Sequence, residues 1–394
     1  MKKRTDFEIA DILRQYFHDY SEKYNTPDYI NKIVTDITTC RTAALGGHPD
    51  FCEKCGHLQI SYNSCRNRHC PKCQFIKKEQ WVLDKQKDVL PIQYFHVVFT
   101  VPNELNLLMY KNREKLYNLL MRSSGTTITE LGKETRFFNA KTGAICVLHT
   151  WGQKLELHPH VHAIVPGGGL SSDKKNWRSS KKGYFLPVKV LSKRFRRIFL
   201  DGIKKLYQEN SLYLNGGDLE RLKVKSNFQN LMNDLYEKDW VVYAKLPFKN
   251  VHTVISYLSR YTHRIAISNY RLVKLENDRV YFKFRDYKNN NQQKVMNLHA
   301  VEFIRRFLLH ILPYRFVRIR YVGLLSNRMR KENIRICREL LGVKLEDIPE
   351  KPEYSDFSEF LRDVFGFDVK KCPNCNSEYT PINKEPDHQP IRAP

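Results

Sequence analysis

The chain has no run of 18 or more apolar residues, and its start, MKKRTDFEIADILRQYF, is basic without the apolar stretch of a secretory leader. Segments that short in apolar length neither span a bilayer nor direct export, so no membrane partner is expected. Internal repeats and low-complexity tracts are lacking, which excludes a solenoid or an array. Acidic residues are in short supply: 42 Asp and Glu stand against 67 Lys and Arg, leaving a net charge of +25. An excess of that size spread along the chain favours a polyanionic partner over an acidic protein or a small substrate, with nucleic acid first.

What is present fits a globular chain of two or three domains: 394 residues, 41% of them hydrophobic. The periodicity reads as α+β. Helical spacing runs over residues 6–40 through Ile9, Ile12, Leu13, Tyr16 and Phe17, ahead of a cysteine-rich stretch from Cys40 to Cys73. YFHVVFTVP, AICVLHTW, HVHAIVP, DWVVYAKLP, RVYFKFRDY and FVRIRYV read as strands. Helices are expected over 104–131, 190–214, 251–263, 300–312 and 328–341, and KPEYSDFSEF suggests a polar, looser tail. The expected domains are a helical and zinc-binding, DNA-binding unit at 1–90, a catalytic unit at 91–275, a basic strand-helix region completing it at 276–345, and a C-terminal tail at 346–394.

Of ten cysteines, Cys146 and Cys337 stand alone in apolar stretches and the other eight are clustered. In a reducing cytosol clustered thiols mean metal. Cys52-x-x-Cys55 and Cys70-x-x-Cys73 offer two pairs that could close one tetrahedral zinc site with a structural role. Cys40, Cys65, His48, His57 and His69 could complete a second. Arg66, Arg68 and Lys72, interleaved with these ligands, are candidates to hold DNA phosphates. Cys372-x-x-Cys375 is half a site and needs ligands from elsewhere, such as His388 or a partner chain.

In LHPHVHAIVPGGGL, strand alternation points His160 and His162 to one face while Val161 enters the core, so two imidazoles converge on one ion. A third ligand must come from a neighbouring strand; Gln153 is the favoured candidate, with His149, His158 and Glu156 as rivals. An open site of this kind suits Mg²⁺ or Mn²⁺ acting on a phosphate. Downstream, Tyr257 and Tyr261 lie four apart on one helix face, flanked by Arg260, His263 and Arg264, which could neutralise phosphate charge.

Taken together, SYNSCRNRHCPKC, YFHVVFTVP, HTWGQ, HPHVHAIVPGGGL, YLSRYTHRIAISN and FVRIRYVGLLSNR resemble the bacterial two-tyrosine rolling-circle insertion-sequence transposases from about Cys40 to about Leu341. The resemblance implies an HUH endonuclease domain, an antiparallel sheet with helices, preceded by a zinc-binding domain. It also implies cation ligation by His160 and His162, and nucleophilic attack by Tyr257 and Tyr261 on single-stranded ends of a mobile element through a 5′-phosphotyrosine. A cytoplasmic, nucleoid-associated location follows from the same resemblance, and a homo-oligomer is left open. The competing readings are a replication initiator or relaxase, which shares this chemistry, and a non-catalytic zinc-finger DNA-binding protein.

Overall fold

The computed structural model describes residues 7–181, 183, 185–245, 254, 265–287, 289–344, 346 and 352–381. The N-terminal helical stretch forms two helices, α1 (Ile9–Lys23) and α2 (Asp28–Thr39), because Pro27 takes an extended conformation and caps the second. Glu8 and Asp11 form a reciprocal capping box at the start of α1. Its three-and-four spacing buries Ile9, Ile12, Leu13 and Tyr16. A hairpin of β1 (Gly47–Phe51) and β2 (Leu58–Tyr62) follows, then α3 (Pro71–Gln86).

β3 (Tyr94–Thr100) leads into α4 (Asn106–Lys111) and α5 (Arg113–Lys133). The expected single helix breaks at Asn112, whose amide donates to the carbonyls of Leu108 and Tyr213 at 3.0 Å each instead of extending the helix. Next come β4 (Gly143–Trp151), β5 (Leu157–Pro166), the short pair β6 (Gly168–Leu170) and β7 (Trp177–Ser179), α6 (Val188–Gln208), α7 (Lys225–Glu237) and β8 (Val242–Lys245). β9 (Leu272–Glu276), β10 (Arg279–Asp286) and β11 (Gln292–His299) form a separate meander that runs into α8 (Ala300–Leu309). β12 (Ile319–Gly323), α9 (Arg330–Leu340), α10 (Phe357–Phe365) and β13 (Thr380–Pro381) end the described chain. The segment KPEYSDFSEF is therefore ordered where described, from residue 352: Asp356 caps α10 by accepting from the Glu359 amide at 2.9 Å, and Gly366 ends it in the left-handed region. The helix expected over 251–263 lies outside the described residues apart from Val254.

The central sheet is antiparallel, ordered β12-β4-β5-β3-β8. Alternation sends Phe95, Val97, Phe99, Cys146, Leu148, Val161, Ala163 and Val165 into one core with Leu116, Leu120, Phe195 and Phe199 of α5 and α6. Its other face is covered as well: Tyr94, Ile145 and Ile164 pack with Val89, Leu90, Val254, Leu324 and Cys337. That two-sided burial explains why β4 is buried at every position and reads as a continuous apolar run. A second core joins α1 and α2 to the β9–β11 meander and α8 through Ile9, Ile12, Phe282, Phe303 and Phe307. Tyr16 seals it by donating to Asp278 at 2.7 Å.

His310, just after α8, is held in this second core between the Thr150 hydroxyl and the Leu155 carbonyl, both at 3.2 Å. Burial pushes its pKa down to about 4, so the folded chain keeps it neutral where the unfolded chain protonates. Between that value and the ordinary ~6.5 the unfolded state binds more protons, so stability falls as pH drops through this window and levels off below it. The contribution at stake is about 3 kcal/mol at ~1.4 kcal/mol per pH unit. Denaturant titrations of wild type and His310→Gln at pH 7 and pH 4.5 check this; the variant should lose visibly less stability on acidification, and an unchanged loss would refute it.

Candidate functional site

β5 is the middle strand of the central sheet, so its residues are flanked from both sides. His160 and His162 project from it on the face opposite the Val161 core. Their Nε2 atoms stand 3.1 Å apart. The Nδ1 of His160 lies 2.6 Å from the His158 carbonyl, which can only accept, so that nitrogen carries the proton and Nε2 is left with its lone pair. The Nδ1 of His162 is 2.8 Å from Nε2 of His96 on β3, and the two rings stack. Burial and the nearby Lys245 push His96 down to about 3, keeping it neutral and able to accept the His162 proton. Both rings thus turn the same nitrogen toward one point.

A third imidazole faces that point. His149 of β4 is directly paired with His160 in the strand register, is buried, and is held flat against Trp151 at a ring separation of 4.5 Å. One nitrogen from each of His149, His160 and His162 lies within 4.8 Å of the others. Gln153 does not take this place. The unbroken register that runs from Ile145 opposite Ile164 puts His149 opposite His160; the shift comes only after it, before Trp151, and Gln153 lies in the turn, where its amide donates to Tyr287 at 3.0 Å and accepts from the Arg285 amide. Glu156, another rival, accepts from the Lys154 amide in that same turn.

The cysteines group differently from the expected one-site pairing. Cys70 caps α3 and Cys73 sits in its first turn, and they meet Cys40, at the end of α2, and Cys65. Cys40 and Cys65 sulfurs lie 3.6 and 3.7 Å from that of Cys73. Cys52 and Cys55 meet Cys372 and Cys375 instead, with sulfur separations of 3.4 and 3.6 Å. Both sets match the ~3.8 Å between sulfurs 2.3 Å from a tetrahedral zinc ion. The half site at Cys372 and Cys375 is therefore faced by thiols of its own chain. His69 joins neither group: it lines a small cavity with Trp151, Phe307, His310 and Arg318, and burial pushes its pKa down to about 3.

Of the basic residues singled out beside the cysteines, Arg66 is exposed. Arg68 donates to the carbonyls of Phe316 and Pro313 at 2.6 and 2.9 Å, which fastens the cysteine-rich stretch to the segment before β12. Lys72 pairs with Glu8 at 2.6 Å, a mostly shielded contact that joins α3 to the start of α1. Tyr257, Arg260, Tyr261, His263 and Arg264 lie outside the described residues.

A transposase zinc-binding domain of the IS91 type matches residues 12–101, and the Y2_Tnp family, described as "Putative transposase", matches residues 143–333. A "Putative transposase y4qJ" of Sinorhizobium fredii is 42% identical over 374 residues, covering 95% of this chain and 94% of the relative. The chain belongs to this transposase family. The transposase is also 28% identical over 299 residues to the transposase for insertion sequence element IS801 of Pseudomonas savastanoi, covering 75% of this chain and 70% of that one. A solved structure of the conjugative relaxase TrwC with oriT DNA overlays with a TM-score of 0.23 at 11% identity, over 64% of the transposase and 74% of that chain. Membership makes the transposase a DNA-cleaving and strand-transferring enzyme with a zinc-binding N-terminal domain. The longer match holds His149, His160 and His162; the zinc-binding match holds the first six clustered cysteines but ends far before Cys372. No helix among the described residues is long and apolar enough to cross a membrane.

Proposed function

We propose that the transposase nicks and rejoins single-stranded DNA at the ends of a mobile element through a 5′-phosphotyrosine, with Tyr257 and Tyr261 as nucleophiles and His149, His160 and His162 as ligands of a divalent cation. The observation that carries the reading is the pair of Nε2 atoms 3.1 Å apart, each fixed in the metal-binding tautomer by a partner on its other nitrogen. Three imidazoles and, among the described residues, no carboxylate fit Mn²⁺ better than the harder Mg²⁺ and leave coordination positions for a phosphate oxygen. A cation bound there supplies Lewis acidity to the scissile phosphate.

The remaining steps belong to the chain's own groups. A tyrosine phenol loses its proton as its oxygen bonds to phosphorus; the P–O3′ bond breaks, and the departing oxygen takes up a proton to become a 3′-OH. Reversal at a target strand restores a phosphodiester without ATP, because the tyrosine ester conserves the bond. Two nucleophiles allow two such transfers in sequence. Val254 supports the tyrosines' assignment: it is packed with Tyr94, Ile145 and Ile164 on the sheet face that also carries the histidines. On the helix expected from the sequence, positions three and seven residues after Val254 are Tyr257 and Tyr261.

Purified protein incubated with labelled single-stranded element ends and Mn²⁺ should give an SDS-resistant protein–DNA adduct that chelator prevents. Tight binding of the same ends with no adduct would overturn the proposal in favour of a DNA-binding protein that does not cut.

His96 acts as a positioning residue in this scheme. Replacing it by leucine removes the acceptor for His162 Nδ1–H and should raise the apparent Mn²⁺ dissociation constant about 10- to 100-fold, the usual cost of a lost supporting partner. His96→Gln offers an amide oxygen in its place and should recover most of the affinity. Equal weakening in both variants, read by Mn²⁺ titration, would reduce His96 to packing.

A further inference from the structure

Half of the site formed by Cys52, Cys55, Cys372 and Cys375, the C-terminal pair, lies beyond the zinc-binding match, and the site is independent of the phosphotyrosine chemistry. Its two halves are the same knuckle built twice. In one, the Cys52 amide donates to the His57 carbonyl at 2.9 Å and the Gly56 amide to the Cys52 carbonyl at 2.8 Å. In the other, the Cys372 amide donates to the Ser377 carbonyl and the Asn376 amide to the Cys372 carbonyl, both at 2.8 Å. The residue after the second cysteine has positive φ in each, Gly56 at 71° and Asn376 at 61°, as residues tolerant of that region allow. Cys70-x-x-Cys73 has no such turn, since it opens a helix.

Around the knuckles β13 adds to the edge of β1, pairing Asp50 with Pro381 and Phe51 with Thr380. Tyr379 donates to Gln59 at 2.9 Å, and Phe365 of α10 packs on Phe75 of α3 at a ring separation of 5.1 Å. Yet no residue of β1 or β2 is buried, and Leu58, Ile60 and Phe51 are left largely exposed. A three-stranded sheet with no buried apolar face cannot hold itself together, and four convergent sulfurs supply what it lacks.

We infer that Cys52, Cys55, Cys372 and Cys375 bind a second zinc ion as four thiolates, releasing their protons to solvent, and that this ion straps the C-terminal segment 352–381 onto the N-terminal zinc-binding domain. The pairs are joined across a sequence separation of 317 residues, so the strap closes the chain end to end around the catalytic region. With Cys55 exposed and Cys375 half-buried, this ion is the more accessible of two; three of the four sulfurs in the Cys40 site belong to buried residues.

The test uses the full chain, with zinc counted by mass spectrometry and free thiols mapped by N-ethylmaleimide. Wild type should carry two zinc ions per chain. Cys372→Ser with Cys375→Ser should carry one, and Cys52 and Cys55 should become alkylated while Cys40, Cys65, Cys70 and Cys73 stay protected. The reciprocal Cys52→Ser with Cys55→Ser should expose Cys372 and Cys375 and likewise keep one ion, which guards against a variant that merely misfolds. One ion in wild type, two in the C-terminal variant, or none in the Cys52/Cys55 variant would overturn the site, the last restoring the single site of Cys52, Cys55, Cys70 and Cys73. Loss of the second ion on dilution to monomer would assign the C-terminal pair to a neighbouring chain and overturn the strap.

Discussion

Tyr257→Phe combined with Tyr261→Phe should remove the covalent protein–DNA adduct entirely while leaving binding of element ends intact. Phenylalanine keeps the ring and its packing and deletes only the oxygen that forms the ester, so the effect falls on bond formation. A phenol with a pKa near 10 is a weak nucleophile at neutral pH and gains force from positive charge at the phosphate, so no other hydroxyl in the chain inherits the role without the same cation. The single variants should differ from the double and from each other: one should retain cleavage yet fail in joining, because groups that act in sequence do not contribute additively. SDS gels with labelled ends, run beside a strand-joining assay, separate the two steps. An adduct that survives in the double variant would remove both tyrosines from the mechanism.

The histidine face was legible where geometry follows from local periodicity. His160 and His162 share a face because a strand alternates, and Val161 between them marks the opposite core; that much needs two residues and a strand. Which side chain stands beside that pair depends on how the next strand is registered, and the unbroken pairing from Ile145–Ile164 to His149–His160 decides it, the one-position shift falling after His149. Counting back seven residues from His160 assumes a turn that the chain does not make, which puts Gln153 at the tip with its amide committed to Tyr287 and Arg285. His96 was hidden for a related reason: inside YFHVVFTVP it reads as one polar residue in a strand, and only the pairing of Val98 with His162 brings His96 beside that ring.

The cysteines show the same limit at longer range. Spacing identified metal-binding pairs and mispaired them, since two pairs close in sequence invite one site. The signal that separates them is local and was present: Gly56 and Asn376 each follow a second cysteine at a position needing positive φ, whereas Gln74 continues a helix. Like knuckles pair with like. The basic residues teach the complementary lesson, because Arg68 and Lys72 look free in sequence and are used within the fold on carbonyls and on Glu8. Charge density marked the partner class but could not say which cations face it.

His149→Ala, His160→Ala and His162→Ala should each weaken Mn²⁺ binding by more than the ~10–100-fold typical of a supporting group, since each deletes one of three direct donors. Strand cleavage should fall with the affinity and recover in part at high Mn²⁺ for the single variants, but not for His160→Ala with His162→Ala, where one imidazole remains. Gln153→Ala is the decisive control. Its amide bonds to Tyr287 and to the Arg285 amide, so its loss loosens the turn against β10 without touching the imidazoles, and Mn²⁺ affinity should stay near wild type. Calorimetric or paramagnetic-relaxation titration reads this directly, apart from activity. If Gln153→Ala abolished binding while His149→Ala left it intact, the third donor would lie in the turn, and the register that pairs His149 with His160 would not be the one in which the cation is held.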